Sequence, residues 1–231
     1  MTNLIAAAMI FMCLHRFVSG TGLRARLVRR IGEASYGRFF QLASIGSLLW
    51  LGFAYWGAGH GNAVTGLWAV PPLLHKLQLC IQPLAMLLIV AGITTPNPGT
   101  FRQEAAVDRS DLVRGILRIT RHPFLWGVAL FAAGHLVASP TPRNLVLFGT
   151  LVFVALTGTL SIDAKRQRAL GARWAAFVAQ TSNVPLVAVL LRRERLPIGE
   201  IGWMRIVAAA ALSLALVLLH GTLFGVSALS G

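Results

Sequence analysis

Six histidines stand beside only seven acidic residues in this 231-residue chain, so imidazole is the main group available for metal binding or proton transfer near neutral pH. Two histidines that face each other from different helices are the usual arrangement for holding a haem by both axial positions. The alternative for each ring is a hydrogen bond to a neighbouring helix. The histidines are His15, His60, His75, His122, His135 and His220.

The stretch GILRITRHPFLWG places Arg118, Arg121 and His122 directly before an apolar run that begins at Pro123. Proline suits the first turn of a helix, where its missing N–H would be unpaired anyway. Free N–H groups at that helix start, together with arginine forks, predict a site for an acidic ligand such as a haem propionate or the carboxylate of a nucleoside cofactor. The alternative is that the arginines extend to phospholipid phosphates.

Other site chemistries find little support in the residue pattern. The chain has no H-E-x-x-H motif, no carboxylate pair and no Cys-His cluster with zinc spacing. No glycine-rich loop follows a strand, and a Ser-His-Asp arrangement lacks an evident buried acid. Cys13 and Cys80 both lie in apolar runs and are expected to be small buried thiols.

The elements that position these residues are membrane helices. The chain is 56% hydrophobic and 12% charged, with a mean hydropathy of +0.70, and its apolar residues fall in runs near the roughly 20 residues that a transmembrane helix needs. We therefore predict an all-α polytopic transmembrane bundle that forms a single domain over residues 1–231. The six predicted spans are Asn3–Ser19, Phe39–Ala58, Pro72–Ile93, Pro123–Ser139, Leu145–Ile162 and Trp203–Leu223.

Helix rise gives each histidine a predicted depth. His15 and His122 lie near one end of the bundle, and His135 lies about 20 Å from His122 along the fourth span at ~1.5 Å per residue. His75 begins the third span and His220 ends the sixth, so both share the end of His135. His60 falls in a loop on that side and is expected to be solvated.

The distribution of basic residues predicts the orientation of the spans. Of the 21 lysines and arginines, all but Lys76 and Arg143 lie in or beside the odd-numbered connections. The positive-inside rule then places those connections in the cytoplasm and both termini in the periplasm of a bacterial inner membrane. The net charge of +14 is therefore explained by orientation and by contact with anionic headgroups, and not by nucleic acid.

The segment after Ile162 predicts a short cytoplasmic helix at the membrane interface. Leu170, Trp174, Phe177 and Val178 recur at helical spacing while the intervening positions stay basic. Its apolar side would face either lipid or the bundle. The alternative is a helix that only connects two spans.

These motifs together resemble the NnrU family of bacterial membrane proteins, whose plant and cyanobacterial relatives are 15-cis-zeta-carotene isomerases. The resemblance rests on RITRHP, on the spacing G-x-x-W-x-x-F-x-x-x-T-S over residues 171–182, and on LHRFVSG and LHGTLFG near the two ends. NnrU members are associated with the production of active nitrite and nitric oxide reductases. The relatives bind b-type haem and use it to isomerise the 15-cis double bond of a carotene.

The resemblance implies a haem b whose ligands fall on His135 and, by a looser match, on His15. Arg118 and Arg121 would then lie near its acidic groups, and His122 would support them. The isomerases carry a cysteine three residues before the ligand histidine, where this chain has Ala132. The two matched histidines differ in predicted depth by about 10 Å, so that without helix tilt His75 or His220 becomes the better partner for His135.

Two other functions remain open at the level of sequence. R-H-P-x-x-x-G resembles the motif of membrane methyltransferases that bind S-adenosylmethionine and modify lipid-embedded substrates, although the later acidic pair of those enzymes is missing. The other function is that of an accessory protein for denitrification enzymes, in which the histidines would be structural. The expected partners are the lipid bilayer and either a hydrophobic polyene or denitrification enzymes.

Overall fold

The chain is all-α in the computed structural model, which describes residues 1–18, 22–59, 66–195 and 198–229. A π-helical segment, Leu14–Val18, continues the first helix, and 3-10 turns lie at Glu104–Asp108 and Ile198–Glu200. His60, and Ser19 at the end of the first predicted span, lie outside the described residues. The α-helices are α1 Thr2–Cys13, α2 Gly22–Ile31, α3 Glu33–Gly57, α4 Pro72–Thr94, α5 Ile116–Ile119, α6 Pro123–Ala138, α7 Pro142–Leu170, α8 Ala172–Gln180, α9 Val187–Leu190 and α10 Trp203–Phe224.

Each predicted span corresponds to a helix, which confirms the all-α polytopic bundle. Four of the helices in the described ranges, α3, α4, α7 and α10, are long and apolar enough to cross a membrane, and α1 with α2 makes a fifth, bent candidate. Helix α6 is apolar but has only 16 residues, near the lower limit for a span. The number of spans that length and composition support is thus lower than the six predicted.

Three helices begin at prolines, as the sequence predicts for Pro123, whereas α7 begins at Pro142 and not at the predicted Leu145. Pro72, Pro123 and Pro142 each occupy the first turn of a helix, where no intrahelical bond needs their missing N–H. Thr141 caps α7 by accepting a hydrogen bond from the backbone N–H of Asn144 at 3.3 Å. Among the boundaries that differ from the prediction, α3 begins at Glu33 and not at Phe39, and α7 continues past Ile162 to Leu170.

Glycines bring α4 and α6 into backbone contact. A Cβ atom at Gly92 would lie 2.4 Å from the backbone nitrogen of Phe124, and one at Gly127 would lie 2.8 Å from the carbonyl oxygen of Ala85. Neither neighbour is a flexible side chain that can move away. Small residues that permit such approach are typical of helix packing in membranes, where burial of apolar surface gives no separate driving force.

Two clusters of buried apolar side chains hold the remaining elements. One joins α1 to α3 and α7. The other lies at the end of the bundle where α6 begins, and there Trp174 and Phe177 of α8 pack against Leu88, Ala91 and Leu117. The apolar side of α8 therefore faces the bundle, which decides between the two predicted orientations. Cys13 and Cys80 were expected to be buried, and both are exposed.

Candidate functional site

His135 lies on α6 in an aromatic environment. Its Nδ1 is 2.8 Å from the carbonyl oxygen of Phe131, one turn earlier in the helix. Its ring stacks on Phe148 of α7, with the centroids 4.7 Å apart and the planes at 22°. The carbonyl oxygen can only accept a hydrogen bond, so Nδ1 carries the proton and Nε2 keeps its lone pair. Nε2 of His135 is therefore the nitrogen that could bind a metal.

His220 near the end of α10 has the same arrangement. Its Nδ1 is 2.6 Å from the carbonyl oxygen of Val226, so this ring too is protonated at Nδ1 and has its Nε2 lone pair available. The His135 and His220 rings have centroids 6.5 Å apart and planes only 14° from parallel. The ring of Phe224 contacts the His220 ring, and their centroids are 4.9 Å apart. Two imidazoles from different helices, each fixed by a backbone carbonyl, thus form a pair.

Glutamines of α4 line the same end of the bundle. The Gln82 side chain donates to the carbonyl oxygen of Phe131 at 3.2 Å, and its Nε2 lies 3.3 Å from Nδ1 of His135. Gly134 makes room for it, since a Cβ there would lie 2.7 Å from that nitrogen. The Oε1 atoms of Gln78 and Gln82 are buried and have no donor among the described residues. The surroundings of the imidazole pair are consequently polar, with hydrogen-bonding capacity that the described protein groups leave unused.

His15 lies at the other end of the molecule. Its Nδ1 contacts the carbonyl oxygen of Phe11 at 2.9 Å, and its ring centroid is 5.6 Å from that of Phe40 on α3. His135 instead lies at the level of Tyr55, because Phe148 contacts both rings. Phe40 and Tyr55 are about 22 Å apart along α3 at ~1.5 Å per residue. The structure therefore does not bring together His15 and His135, the pair that the family resemblance implies as metal ligands, and tilt does not close the gap.

His75 lies in the first turn of α4, at the end that contains the imidazole pair. It is partly buried and precedes Gln78 by one helical turn. Gln82 is about 10 Å further along the same helix at ~1.5 Å per residue. The predicted layer of His75, His135 and His220 thus exists in part, with His135 and His220 adjacent and His75 nearer the end of the helix.

Arg121 and His122 converge on Asp163 at the start of α6. The Arg121 guanidinium binds the carboxylate through two nitrogens, with Nε at 2.9 Å from Oδ1 and Nη2 at 2.5 Å from Oδ2. Nε2 of His122 lies 2.7 Å from Oδ1 of the same carboxylate. Arg121 and His122 are buried, and Asp163 is partly buried. Charge-assisted bonds of this fork geometry are among the stronger polar contacts in proteins.

Asparagines complete this ion-pair cluster. Asn183 donates to Oδ2 of Asp163 at 3.1 Å and accepts from the indole N–H of Trp126 at 3.3 Å. Asn97 donates to the carbonyl oxygen of Arg121 at 2.9 Å. The sequence pattern singled out Arg121 and His122 but not Asn97 or Asn183. Asn183 directly follows the Thr-Ser pair of the family motif, a position that could have indicated this contact.

Arg118 also pairs with acids of the protein. Its Nη1 lies 3.0 Å from Oε2 of Glu194, and its Nε lies 3.1 Å from Oε2 of Glu200. Glu200 also accepts from the backbone N–H of Gly115 at 2.9 Å. Arg118 and Arg121 thus bind carboxylates of the chain itself and lie at the opposite end of α6 from His135. The prediction that they neutralise acidic groups of a haem at His135 does not fit this arrangement.

One further concave region lies at the end of α4 near the ion-pair cluster. It has a volume of about 410 Å³ and is lined by residues that include Ile93, Thr95 and Arg109. The Arg109 guanidinium binds the exposed carboxylate of Asp111 and lowers the pKa of that group. The region thus offers no free charge from Arg109. Within the described part of the chain, no group of three or more His, Cys, Asp or Glu side chains is placed to hold a metal ion.

The helices and the two polar clusters define an all-α polytopic membrane protein. The chain belongs to the NnrU family, since the model of that family, described as NnrU protein, matches residues 3–228. No curated protein and no solved structure shows significant similarity to the chain.

Proposed function

We propose that this chain is a haem-binding membrane protein whose iron is held by His135 and His220. The observation that carries the proposal is that two rings with the same hydrogen-bonding arrangement lie side by side. Each imidazole donates Nδ1–H to a backbone carbonyl and leaves Nε2 as the nitrogen that could bind a metal, the arrangement that orients metal-binding histidines. His15 makes the same contact with the carbonyl oxygen of Phe11, so the adjacency of His135 and His220 is what distinguishes this pair.

The spacing of the rings supports the same assignment. Two imidazoles that share one metal bind it through one nitrogen each, with bonds of roughly 2 Å, so their rings must lie within several ångströms of each other. The His135 and His220 centroids are 6.5 Å apart. Phe131, Phe148 and Phe224 supply apolar aromatic surface around the pair. The two imidazoles and their aromatic surroundings would suit a haem b held by His135 and His220.

A haem held by these two histidines would supply one-electron redox chemistry. The residues of the chain then fix the ligand tautomers and the polarity around them. The cysteine that the isomerase relatives carry before the ligand histidine is replaced by Ala132, which is fully buried. Exchange of a histidine ligand for a thiolate at this position is therefore not available to this chain.

The absorption spectrum of the protein tests the proposal. We expect protein purified in detergent after haem-sufficient expression to show a Soret band that is lost or strongly weakened in His135→Ala and His220→Ala. His15→Ala is the matched control and should leave the band unchanged. If His15→Ala removes the band while His220→Ala keeps it, the ligand pair is wrong. Colourless wild-type protein that binds S-adenosylmethionine, with binding lost in His122→Ala, would support the methyltransferase instead.

The physiological role that we propose follows from the family. The haem protein would support production of active nitrite and nitric oxide reductases or isomerise a cis double bond of a carotenoid. A deletion strain separates these roles. Loss of both reductase activities under denitrifying conditions, with an unchanged carotenoid profile, supports the first, whereas accumulation of a cis-carotene supports the second. Restoration by wild-type protein but not by His135→Ala would connect either role to the imidazole pair.

We also propose that the protein crosses the bacterial inner membrane with both termini in the periplasm, because the basic residues concentrate on the odd-numbered connections. The test uses a background in which Cys13 and Cys80 are replaced by Ser. A membrane-impermeant maleimide should label Thr2→Cys in intact spheroplasts, and Arg102→Cys only after permeabilisation. Both positions are exposed. The reverse pattern would invert the topology.

A further inference from the structure

Helix α2 places three of its four arginines together. At 100° per residue, Arg26, Arg29 and Arg30 share one side of this ten-residue helix, and Leu23, Leu27 and Ile31 share the adjoining side. The three arginines are exposed. Leu23 and Ile31 are also 41% and 46% exposed, so the apolar side is only partly covered by the protein.

Among the described residues, every acidic side chain already has a basic partner other than these three arginines. All seven acidic residues of the chain form ion pairs with other residues. The pairs are Glu33–Arg24, Glu104–Arg166, Asp108–Arg173, Asp111 with Arg109 and Arg114, Asp163 with Arg121 and His122, Glu194–Arg118 and Glu200–Arg118. Within the described ranges Arg26, Arg29 and Arg30 therefore face outward as three positive charges without an acidic partner.

Contacts with α3 fix the position of the helix. Arg24, on the apolar side, forms an ion pair with Glu33 and lies 5.4 Å from the ring centroid of Tyr36. The helix makes an angle of 80° with the first span, Thr2–Val18. A helix that lies across the end of a span, with arginines on one side and leucine or isoleucine on the adjoining side, has the geometry of an interfacial helix.

We propose that α2 is a binding surface for anionic phospholipid headgroups of the leaflet in which the first span ends. Arg26, Arg29 and Arg30 contact the phosphates, and Leu23 and Ile31 contact the acyl boundary. Charge complementarity requires an anion from outside the chain, and the partly exposed apolar side favours a lipid surface over an acidic protein. Guanidinium forks bind phosphate through two parallel N–H groups, which suits headgroups directly. This inference is independent of haem binding.

Spin-labelled lipids measure the proposed preference. The protein is reconstituted into phosphatidylcholine vesicles, and the fraction of motionally restricted spin-labelled phosphatidylglycerol is compared with that of spin-labelled phosphatidylcholine. We expect a preference for phosphatidylglycerol that decreases as salt is added. Replacement of Arg26, Arg29 and Arg30 together by Gln should reduce the preference by about a factor of five or more.

Replacement of the same three residues by Lys is the matched control, because it keeps the charge and should retain most of the preference. A Gln variant with the wild-type preference would overturn the proposal and leave the arginines to another partner or to solvent. A salt-independent preference in the wild-type protein would overturn it as well, and that measurement does not depend on the folding of any variant.

Discussion

The imidazole rings of His135 and His220 lie 6.5 Å apart and nearly parallel, although the two residues belong to α6 and α10. In each ring Nδ1 bonds to a backbone carbonyl within the same part of the chain, to Phe131 for one and to Val226 for the other. The local backbone thus sets the tautomer of each ring, and packing of the helices sets their separation. Both conditions are needed for a shared metal.

Loss of one ring should be reversible by an added ligand. If His135 and His220 hold a haem as proposed, His220→Gly removes one of its two nitrogen ligands, so we expect the spectrum to change from a low-spin to a high-spin form. Free imidazole should restore the low-spin spectrum by occupying the vacated position. The measurement is a titration of the Soret and visible bands. His75→Gly is the control and should show no change with imidazole; an imidazole response there, and none in His220→Gly, would assign the second ligand to His75.

The ion pair between Arg121 and Asp163 should stabilise the protein mainly because each charge is neutralised by the other. Both side chains are largely shielded from water. Their side chains are 10% and 20% exposed. Asp163→Asn leaves the guanidinium without its counter-charge, and we expect it to lower the free energy of unfolding by about 3 kcal/mol. Chemical denaturation in detergent, followed by circular dichroism, measures this change.

A double variant separates the pair from its surroundings. Arg121→Met with Asp163→Leu removes both charges, so it should cost less than the sum of the single changes, as a double-mutant cycle reports. Costs that add without coupling would show that the two side chains stabilise the protein independently. Arg173→Met is a suitable comparison, because its pair with Asp108 is exposed and should contribute no more than about 1 kcal/mol.

The sequence predicted where helices lie better than it predicted which residues of different helices become neighbours. Pro123 marks the start of α6, and helix rise placed His135 and His220 at the same end of the bundle, as the structure has them. Which two histidines become adjacent was not predictable, because rotation and tilt of a membrane helix depend on packing against its neighbours. For this reason no residue pattern showed that His15 and His135 lie apart. His15 lies at the level of Phe40 and His135 at the level of Tyr55, which are distant from each other along α3.

The role of Asp163 shows a second limit of the sequence. Hydropathy ends the fifth span at Ile162, whereas α7 continues to Leu170 because the residues that follow are good helix formers. The continued helix carries Asp163 to the start of α6, where Arg121 and His122 bind it. A long-range polar contact of this kind depends on how two helices cross, and neither helix contains that information alone.

Close contact between α4 and α6 should make Gly92 intolerant of any side chain. In Gly92→Ala the new methyl group would lie 2.4 Å from the backbone nitrogen of Phe124, so one helix must move. We expect a loss of about 1–3 kcal/mol of unfolding free energy, the usual cost of overpacking. The control is Gly46→Ala in α3, where no atom lies within 4 Å of the new Cβ. There the better helix propensity of alanine should leave stability unchanged or slightly higher, and an equal loss at both sites would contradict the packing argument.

Burial of Trp174 should anchor α8 and, through it, the segment that precedes α6. The side chain is 1% exposed and packs with Phe177 against Leu88 and Leu117. Trp174→Ala should therefore cost about 3–5 kcal/mol, the range for removing a large aromatic side chain from a core. Trp203→Ala at the start of α10 is the matched control, because that side chain is 72% exposed. Thermal unfolding in detergent compares the two, and hydrogen exchange should show the loss of protection in Trp174→Ala first at α8 and α5. Equal and small shifts for both variants would mean that α8 does not stabilise this end of the bundle.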